Sequence, residues 1–192
     1  MKYYDAKWIG SSANKSQWPN TTYPEMVFAG RSNAGKSSLI NALVNRKNLA
    51  YEGKTPGKTR LLNFFEVNEQ YVLTDAPGYG YAKGGKQASL DFGDLMEPYF
   101  RERKQLKLLI LVLDIRRVPN ADDIRMVEFA KENHLAIIGA CTKSDKLSRN
   151  QQLSQQKIIS DTLGIPKDKL IICSCLKKTG MEELWQQIEH TL

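Results

Sequence analysis

Cysteine, histidine and long apolar runs are all scarce in this sequence of 192 residues. The three cysteines are an odd number, so they offer no disulfide framework and favour a reducing compartment. No apolar run approaches the ~20 residues that a membrane-spanning helix requires. The opening MKYYDAKWIG also lacks the basic and then apolar profile of a secretory signal. We therefore expect a cytoplasmic protein without a membrane span.

The composition is that of a folded globular domain. Hydrophobic residues make up 41% and charged residues 26%, which excludes a disordered tail, a collagen-like rod and a coiled coil. The length predicts one domain, or two at most. The net charge of +7 allows a polyanionic partner such as RNA, although solvated lysines alone produce the same value.

Strand and helix patterns alternate along most of the chain. Residues 1–23 are polar and dotted with Trp and Tyr, and we interpret them as an N-terminal arm with room for one edge strand. Residues 24–192 predict a three-layer α/β domain with a mostly parallel, six-stranded sheet. Its one antiparallel edge strand comes from the hairpin of Leu61–Val67 and Tyr71–Thr74. The other predicted strands are Pro24–Gly30, Leu106–Asp114, Leu135–Cys141 and Lys169–Ser174, and the predicted helices are Ser37–Val44, Leu90–Lys104, Asp122–Glu132, Arg149–Leu163 and Met181–His190.

The strongest motif is GRSNAGKS, Gly30–Ser37, a complete G-x-x-x-x-G-K-[ST] pattern between a predicted strand and a predicted helix. Its glycines let backbone N–H groups turn toward phosphate oxygens, and the helix N-terminus adds partial positive charge. Lys36 is expected to reach the β- and γ-phosphates, and the Ser37 hydroxyl is expected to ligate Mg²⁺. A chance glycine turn before a helix is the alternative.

A second motif, DAPG at Asp75–Gly78, directly follows the second hairpin strand. The carboxylate of Asp75 would lie beside the metal, through a water, and the Gly78 N–H can sense a γ-phosphate. The same tetrapeptide also forms ordinary turns. It indicates a metal site here because it follows the phosphate loop and the hairpin.

A third motif indicates which base is bound. TKSD, Thr142–Asp145, follows a buried strand and matches the [NT]-K-x-D pattern of guanine-specific NTPases. A carboxylate at Asp145 can accept bonds from guanine N1–H and its exocyclic amine, whereas adenine offers no such pair of donors. The Lys143 stem can lie along the base plane. The alternative is a solvated, charged loop.

Two further loops belong to the predicted site. Ser174–Leu176 follows the last strand, where a backbone N–H can reach guanine O6, although an ordinary turn at a strand end also fits. The loop Gly53–Arg60 is the candidate first switch, in which one threonine must meet Mg²⁺ and the γ-phosphate. Thr55 and Thr59 are both candidates, and Thr59 is nearer the following strand.

The ordered set GRSNAGKSSLIN, TPGKTR, DAPGYGYAK, TKSD and SCLKKTG resembles the EngB family (also called YihA or YsxC), bacterial GTPases implicated in assembly of the large ribosomal subunit. The resemblance runs from about Pro24 to the C-terminal helix and implies a P-loop NTPase of the Ras-like G-domain type over residues 24–192. Ala34 and Cys175 depart from the usual family residues without altering the nucleotide assignment. The resemblance also favours Thr59 over Thr55.

The resemblance assigns roles residue by residue. It implies Mg²⁺ at Ser37 and Thr59, and the DAPG motif adds Asp75 to the predicted metal site. We expect catalytic roles for Lys36, Thr59 and Gly78. The positions implied for GTP or GDP are Gly30, Arg31, Ser32, Asn33, Ala34, Gly35, Lys36, Ser37, Gly57, Lys58, Thr59, Arg60, Leu61, Asp75, Ala76, Pro77, Gly78, Thr142, Lys143, Ser144, Asp145, Cys173, Ser174, Cys175 and Leu176.

The residue after Gly78 bears on the reaction rate. Tyr79 stands where some GTPases place a glutamine that orients the attacking water, so we expect slow intrinsic hydrolysis that a partner accelerates. Asn33 resembles the asparagine of GTPases that bind K⁺ near the β–γ bridge, with loop shaping as the alternative role.

Three functions compete at this point. The first is a monomeric GTPase that docks on a large-subunit precursor through its rRNA and leaves after hydrolysis. Basic residues in the two switch segments would make that contact, namely Lys54, Lys58, Arg60, Lys83 and Lys86. The second is a GTP-dependent signalling or scaffold module in cell division and septation. The third, a kinase-like P-loop enzyme, is disfavoured because TKSD points to guanine.

Overall fold

The computed structural model describes residues 4–50, 61–80 and 85–192, which form one sheet between two layers of helices. This arrangement confirms the predicted three-layer α/β class. The strands are β1 (Ala6–Ser12), β2 (Glu25–Gly30), β3 (Leu62–Val67), β4 (Tyr71–Asp75), β5 (Leu106–Asp114), β6 (Ala136–Thr142) and β7 (Leu170–Ile172). The helices are α1 (Lys36–Leu43), α2 (Gly85–Glu102), α3 (Ala121–Glu132), α4 (Arg149–Leu163) and α5 (Met181–Thr191).

The sheet has seven strands in the order β1-β3-β4-β2-β5-β6-β7: the six predicted for residues 24–192 are present, and the seventh comes from the N-terminal arm. The additional strand is β1, which pairs antiparallel with β3 from Ala6 opposite Val67 to Ser12 opposite Leu62. Strand β3 is in turn antiparallel to β4, and the remaining pairs are parallel. The antiparallel strand of the predicted hairpin is therefore internal, because β1 covers its outer edge.

Strand β5 separates two apolar cores. Alternate side chains of this strand point to opposite faces, as the pleat requires. Leu108, Ile110 and Val112 join the core under α1 and α5. The side chains between and beyond them, among them Leu109 and Leu111, join the core under α2, α3 and α4. Burial on both faces explains why the sequence of this strand is almost continuously apolar.

Helix ends follow local capping chemistry. Ser148 caps α4 in a capping box with Gln151, and Asn120 caps α3 in the same way with Asp123. The left-handed residue Gly164 ends α4. Helix α2 begins at Gly85, five residues before the predicted start at Leu90.

The parallel strands direct their carboxyl ends toward one edge of the sheet, where ligands bind in open α/β folds. Gly30, Asp75, Asp114 and Thr142 are the last residues of β2, β4, β5 and β6. Asp114 and Thr142 are also paired in register. Within the part of the chain that the structure describes, none of the helices has the length and hydropathy for crossing a bilayer.

Candidate guanine-nucleotide site

The phosphate loop runs from the end of β2 into the first turn of α1. Gly35 caps that helix with φ of +99°, a conformation that favours glycine. Lys36 is buried, and its Nζ donates hydrogen bonds to the carbonyls of Gly30 and Arg31, both at 3.3 Å. Burial lowers the pKa of Lys36, and the nearby Asp75 carboxylate opposes that shift. When a phosphate binds, the Lys36 amine would exchange its two neutral carbonyl partners for anionic phosphate oxygens.

Ser37 and Asp75 form the part of the site that suits a metal. The Ser37 hydroxyl donates to Asp75 Oδ2 at 2.7 Å, so two hard oxygen donors lie side by side, as Mg²⁺ prefers. Burial raises the pKa of Asp75 to about 6, although the Ser37 bond and the Lys36 charge act to lower it. These residues fit the predicted metal site. Thr59, the third predicted ligand, lies outside the described residues.

The DAPG segment passes directly over the phosphate loop. A Cβ added to Gly78 would stand 2.8 Å from Ser32 Cα and 3.1 Å from Lys36 Nζ, so any side chain here would collide with the loop. The backbone of the next residue, Tyr79, accepts from the Ser32 N–H at 2.9 Å and donates to the Gly30 carbonyl at 3.3 Å. A phosphate gripped by Lys36 must therefore lie beside Gly78.

The side chain of Tyr79 points away from the phosphate loop. It is buried, and its hydroxyl donates to Asp123 Oδ1 at 2.7 Å, at the start of α3. Burial and the Asp123 carboxylate raise the pKa of Tyr79 well above its ordinary value. This side chain is thus a neutral hydrogen-bond donor within the protein and not a partner for an attacking water. The neighbouring Ala76 is buried in the core, and Pro77 is half-buried.

The base loop is tied to the phosphate loop by two side chains. Thr142 Oγ1 is buried 2.7 Å from the Ala34 carbonyl and 3.0 Å from that of Leu113. Lys143, with φ of +61°, donates from Nζ to the Asn33 carbonyl at 2.7 Å. The structure therefore brings together TKSD and GRSNAGKS, which are more than a hundred residues apart in the chain.

Asp145 is held by the last strand loop. Ser174 Oγ donates to Asp145 Oδ1 at 2.6 Å, and this bond lowers the pKa of the carboxylate. The Ser144 N–H donates to the Cys173 carbonyl at 3.2 Å, which joins the two loops a second time. An ionised Asp145 carboxylate at this edge of the sheet can accept hydrogen bonds from the N1–H and the exocyclic amine of guanine.

The remaining residues of the last predicted loop have different environments. Cys173 is buried, and its side chain belongs to the core under α1 and α5. Burial also raises the pKa of this thiol well above its ordinary value. Cys175 is half-buried and Leu176 is 74% exposed, so this loop presents an apolar side chain to solvent two residues after Ser174.

Sequence reasoning missed Asp114, the partner that orients Lys143. Asp114 lies 3.1 Å from Lys143 Nζ and accepts a pair of bonds from Arg116 at 2.9 and 2.7 Å. Burial would raise the pKa of Asp114, but the bonds from Arg116 and Lys143 lower it to about 2. Its position as the last residue of a buried parallel strand was the available signal.

Several predicted contacts lie outside the described residues: Gly57, Lys58, Thr59 and Arg60, together with the alternative Thr55. Leu61 is described, is half-buried and directly precedes β3. The first-switch prediction therefore stays a prediction.

A phosphate loop, a metal-suited Ser–Asp pair and a guanine-suited carboxylate on the carboxyl edge of this sheet define a guanine-nucleotide-binding P-loop GTPase. Comparison with known proteins points the same way. The family model described as "50S ribosome-binding GTPase" matches residues 25–143. A "Probable GTP-binding protein EngB" of Clostridium perfringens is 46% identical over 185 residues, which cover 96% of this chain and 94% of the relative. Its namesake in Geobacter metallireducens is 42% identical over 192 residues, with 100% and 94% covered.

Solved structures share the fold. The crystal structure of a probable GTP-binding protein engB is similar with a TM-score of 0.73 at 23% identity, covering 87% of this chain and 97% of that one. The G domain of the T. maritima FeoB iron transporter is similar with a TM-score of 0.55 at 26% identity, covering 88% and 99%. The chain belongs to the EngB family of GTP-binding proteins.

Proposed function

We propose that this GTPase is a cytoplasmic, nucleotide-gated factor in assembly of the large (50S) ribosomal subunit, with slow intrinsic hydrolysis. The supporting observation is the packing of Gly78 and Tyr79 on the phosphate loop. A γ-phosphate held by Lys36 would meet this segment, and GDP lacks that phosphate, so GTP and GDP would bias the conformation of the segment differently. The description of the matching family, a 50S ribosome-binding GTPase, supports the ribosomal particle as the partner that reads this difference.

Magnesium is part of the proposal. Ser37 and Asp75 would hold Mg²⁺, with Thr59 completing the set in the triphosphate state. The ion supplies charge neutralisation on the phosphates when bound. Lys36 and the backbone N–H groups of the phosphate loop add the electrostatic grip, and Asp145 orients the base. The chain's own contribution is thus positioning and charge, without a covalent step.

Contact with ribosomal RNA is the proposed mode of docking. The net charge of +7 favours a polyanion, and the sequence places Lys54, Lys58, Arg60, Lys83 and Lys86 in the two predicted switch segments. A charge-based contact predicts binding that weakens steeply as salt is added. Binding that is insensitive to salt would contradict this mode.

Co-sedimentation with large-subunit precursors tests the function. We expect a monomeric protein that pellets with these particles in a non-hydrolysable GTP analogue and stays in the supernatant in GDP. In depleted cells, sucrose gradients should show accumulating large-subunit precursors. Equal co-sedimentation in both nucleotides, with normal ribosome profiles and a septation defect, would favour the scaffold function instead.

Gly78→Ala gives the matched variant for this experiment. Its methyl group would meet Ser32 and Lys36 at 2.8 to 3.1 Å, so the segment must move off the phosphate loop. We expect GDP affinity to be retained and the difference between GTP and GDP in co-sedimentation to be lost. Gly93→Ala is the control, because a Cβ at Gly93 has no neighbour within 4 Å.

A further inference from the structure

A groove lies between α2 and α3, on the sheet face away from α1 and α5. It encloses about 560 Å³, within the size range of ligand-binding clefts. Its apolar lining consists of Phe92, Met96, Met126 and Phe129. Two methionines and two phenylalanines are typical of adaptable surfaces that accept apolar side chains of a partner.

The rim of this groove is acidic. Among the lining residues that the structure describes, Glu97, Asp122, Glu128 and Glu132 are acidic and Arg125 is the one cation. Arg125 pairs with Asp122, and Glu97 pairs with Arg101 at 2.8 Å. Among the described residues, neither Glu128 nor Glu132 has a cation within 4.0 Å, and both are exposed. The described lining residues therefore carry three net negative charges around an apolar groove, on a protein whose total charge is +7.

The charge of the rim selects the class of occupant. Carboxylates repel the phosphates of RNA, so the groove is unsuited to the polyanion that the rest of the molecule attracts. A protein segment with apolar side chains at helical spacing and Lys or Arg between them matches both the lining and the rim. We propose that the groove between α2 and α3 binds a basic, amphipathic segment of a protein partner.

Tyr79 connects this groove to the nucleotide site. Its ring packs edge-on against Phe92, with centroids 5.7 Å apart, and it lines the groove. Its backbone is bonded to the phosphate loop at Gly30 and Ser32. A peptide that contacts Phe92 and a phosphate beside Gly78 would therefore both act on Tyr79. By linkage, binding of the peptide and binding of the nucleotide would each change the affinity of the protein for the other.

Fluorescence anisotropy with a defined probe tests the groove. The probe is a labelled synthetic peptide made only of Lys, Leu and Phe, with its apolar residues at helical spacing. Its counterpart carries Glu in place of Lys. We expect the basic peptide to bind roughly tenfold or more tightly than the acidic one. Equal affinities for the two peptides would overturn the proposal.

Two variants locate the binding. Glu128→Lys with Glu132→Lys reverses the rim charge, and we expect the basic peptide to lose roughly tenfold in affinity. Glu182→Lys with Glu189→Lys makes the same net change on α5, across the sheet, and should leave the affinity within about twofold. Equal losses in the two double variants would show that total charge is responsible and not the groove.

Gly93→Leu separates a filled groove from an unfolded protein. Gly93 lines the groove, and a Cβ there has no neighbour within 4 Å, so a leucine would extend into the groove from an open position. Replacing a helical glycine also stabilises the helix by about 0.5–1 kcal/mol. We expect unchanged or raised thermal stability together with loss of peptide binding. Full peptide affinity in this stable variant would contradict the proposal.

The coupling through Tyr79 has its own readout. The basic peptide should bind with different affinity in the GTP analogue and in GDP, and Tyr79→Phe, which removes the hydroxyl bonded to Asp123, should reduce that difference. Identical affinities in the two nucleotides would overturn the coupling. None of these measurements uses ribosomes, so loss of groove binding and failure of ribosome association are distinguishable.

Discussion

Asp145 is a carboxylate that the fold holds in place for a base. Ser174 donates to one of its oxygens at 2.6 Å and lowers its pKa, so the side chain is charged at neutral pH. Both partners come from loops that end adjacent parallel strands, β6 and β7. The geometry is therefore set by the sheet and not by the loop sequence alone.

Asp145→Asn should weaken guanine-nucleotide binding sharply. The change removes two charge-assisted bonds worth about 1.5–3 kcal/mol each, so we expect roughly a 10²- to 10⁴-fold loss of GDP affinity. Titration with a fluorescent GDP measures it. Asp161→Asn, at an exposed ion pair with Lys157, is the control and should bind GDP normally. A loss of less than about threefold in Asp145→Asn would contradict the base assignment.

Asp114 contributes stability that depends on pH. Its pKa is lowered to about 2 in the folded protein, so its contribution is present above the ordinary value of 3.8 and is lost as the pH falls toward 2. Because Arg116 is partly exposed and solvent screens it, we expect Asp114→Asn to cost about 1–2 kcal/mol at pH 7. Urea unfolding at neutral pH and below pH 4 measures the difference, which should shrink in acid. A difference that grows in acid would show the opposite linkage.

Asn33 has two candidate roles, as a ligand of K⁺ or as a residue that shapes the phosphate loop. Its side chain is exposed, and its φ of +62° suits asparagine or glycine. If its amide helps to hold K⁺, GTP hydrolysis is faster in KCl than in NaCl, and Asn33→Gly abolishes that difference while keeping the loop conformation. Single-turnover hydrolysis measures both proteins. Stimulation by KCl that survives in Asn33→Gly assigns the residue to loop shaping.

Among the elements, α2 is fixed to the sheet at its C-terminal end. Arg103, just beyond the helix, is bonded to the buried Glu25 at 2.9 Å and lies over the rings of Trp18 and Phe64. Tyr99, within the helix, also donates to Glu25. The C-terminal end of α2 is therefore fixed to the sheet. If α2 moves when the groove is occupied, we expect its earlier turns to move.

Arg103→Met tests this anchor. Removing the cation leaves the Glu25 carboxylate buried without its charge partner, and we expect a loss of about 3–5 kcal/mol in unfolding free energy. The double variant with Glu25→Gln should recover part of this loss, because the uncompensated charge is gone. Denaturant unfolding measures both variants. An undiminished stability in Arg103→Met would show that solvent reaches Glu25.

How well the sequence predicted an element depended on how local its determinants are. Strand β5 and helix α4 have the predicted bounds, since one is a continuous apolar run and the other begins at a capping box. Strand β1 had no clear pattern, because a bulge between Trp8 and Gly10 interrupts its alternation. The start of α2 was placed late, since glycine is a poor helix former.

The candidate site divides in the same way. The phosphate loop, Asp75 and Asp145 follow from spacing along the chain. The bonds from Ser174 to Asp145 and from Lys143 to Asn33 depend on strand order, which a local pattern does not encode. Asp123 could not be foreseen as the partner of Tyr79, because the two meet only when α3 packs on the sheet near the loop that follows β4.

For the molecule as a whole, the arrangement predicts slow hydrolysis by the isolated protein. The Tyr79 hydroxyl donates to Asp123, so this side chain, which stands where some GTPases place a glutamine, does not orient the attacking water. Single-turnover assays should show slow GTP cleavage that rises when large-subunit precursors are added. Fast cleavage by the isolated protein would contradict this prediction.

The bonds from Thr142 to Ala34 and from Lys143 to Asn33 have a consequence for how the protein responds to its surroundings. Both bonds are made within the protein, so the distance between the base loop and the phosphate loop does not depend on which guanosine phosphate is bound. With this spacing fixed, GDP and GTP make the same contacts with the base loop. The difference between the two nucleotides must then be read at the phosphate end, beside Lys36 and Gly78.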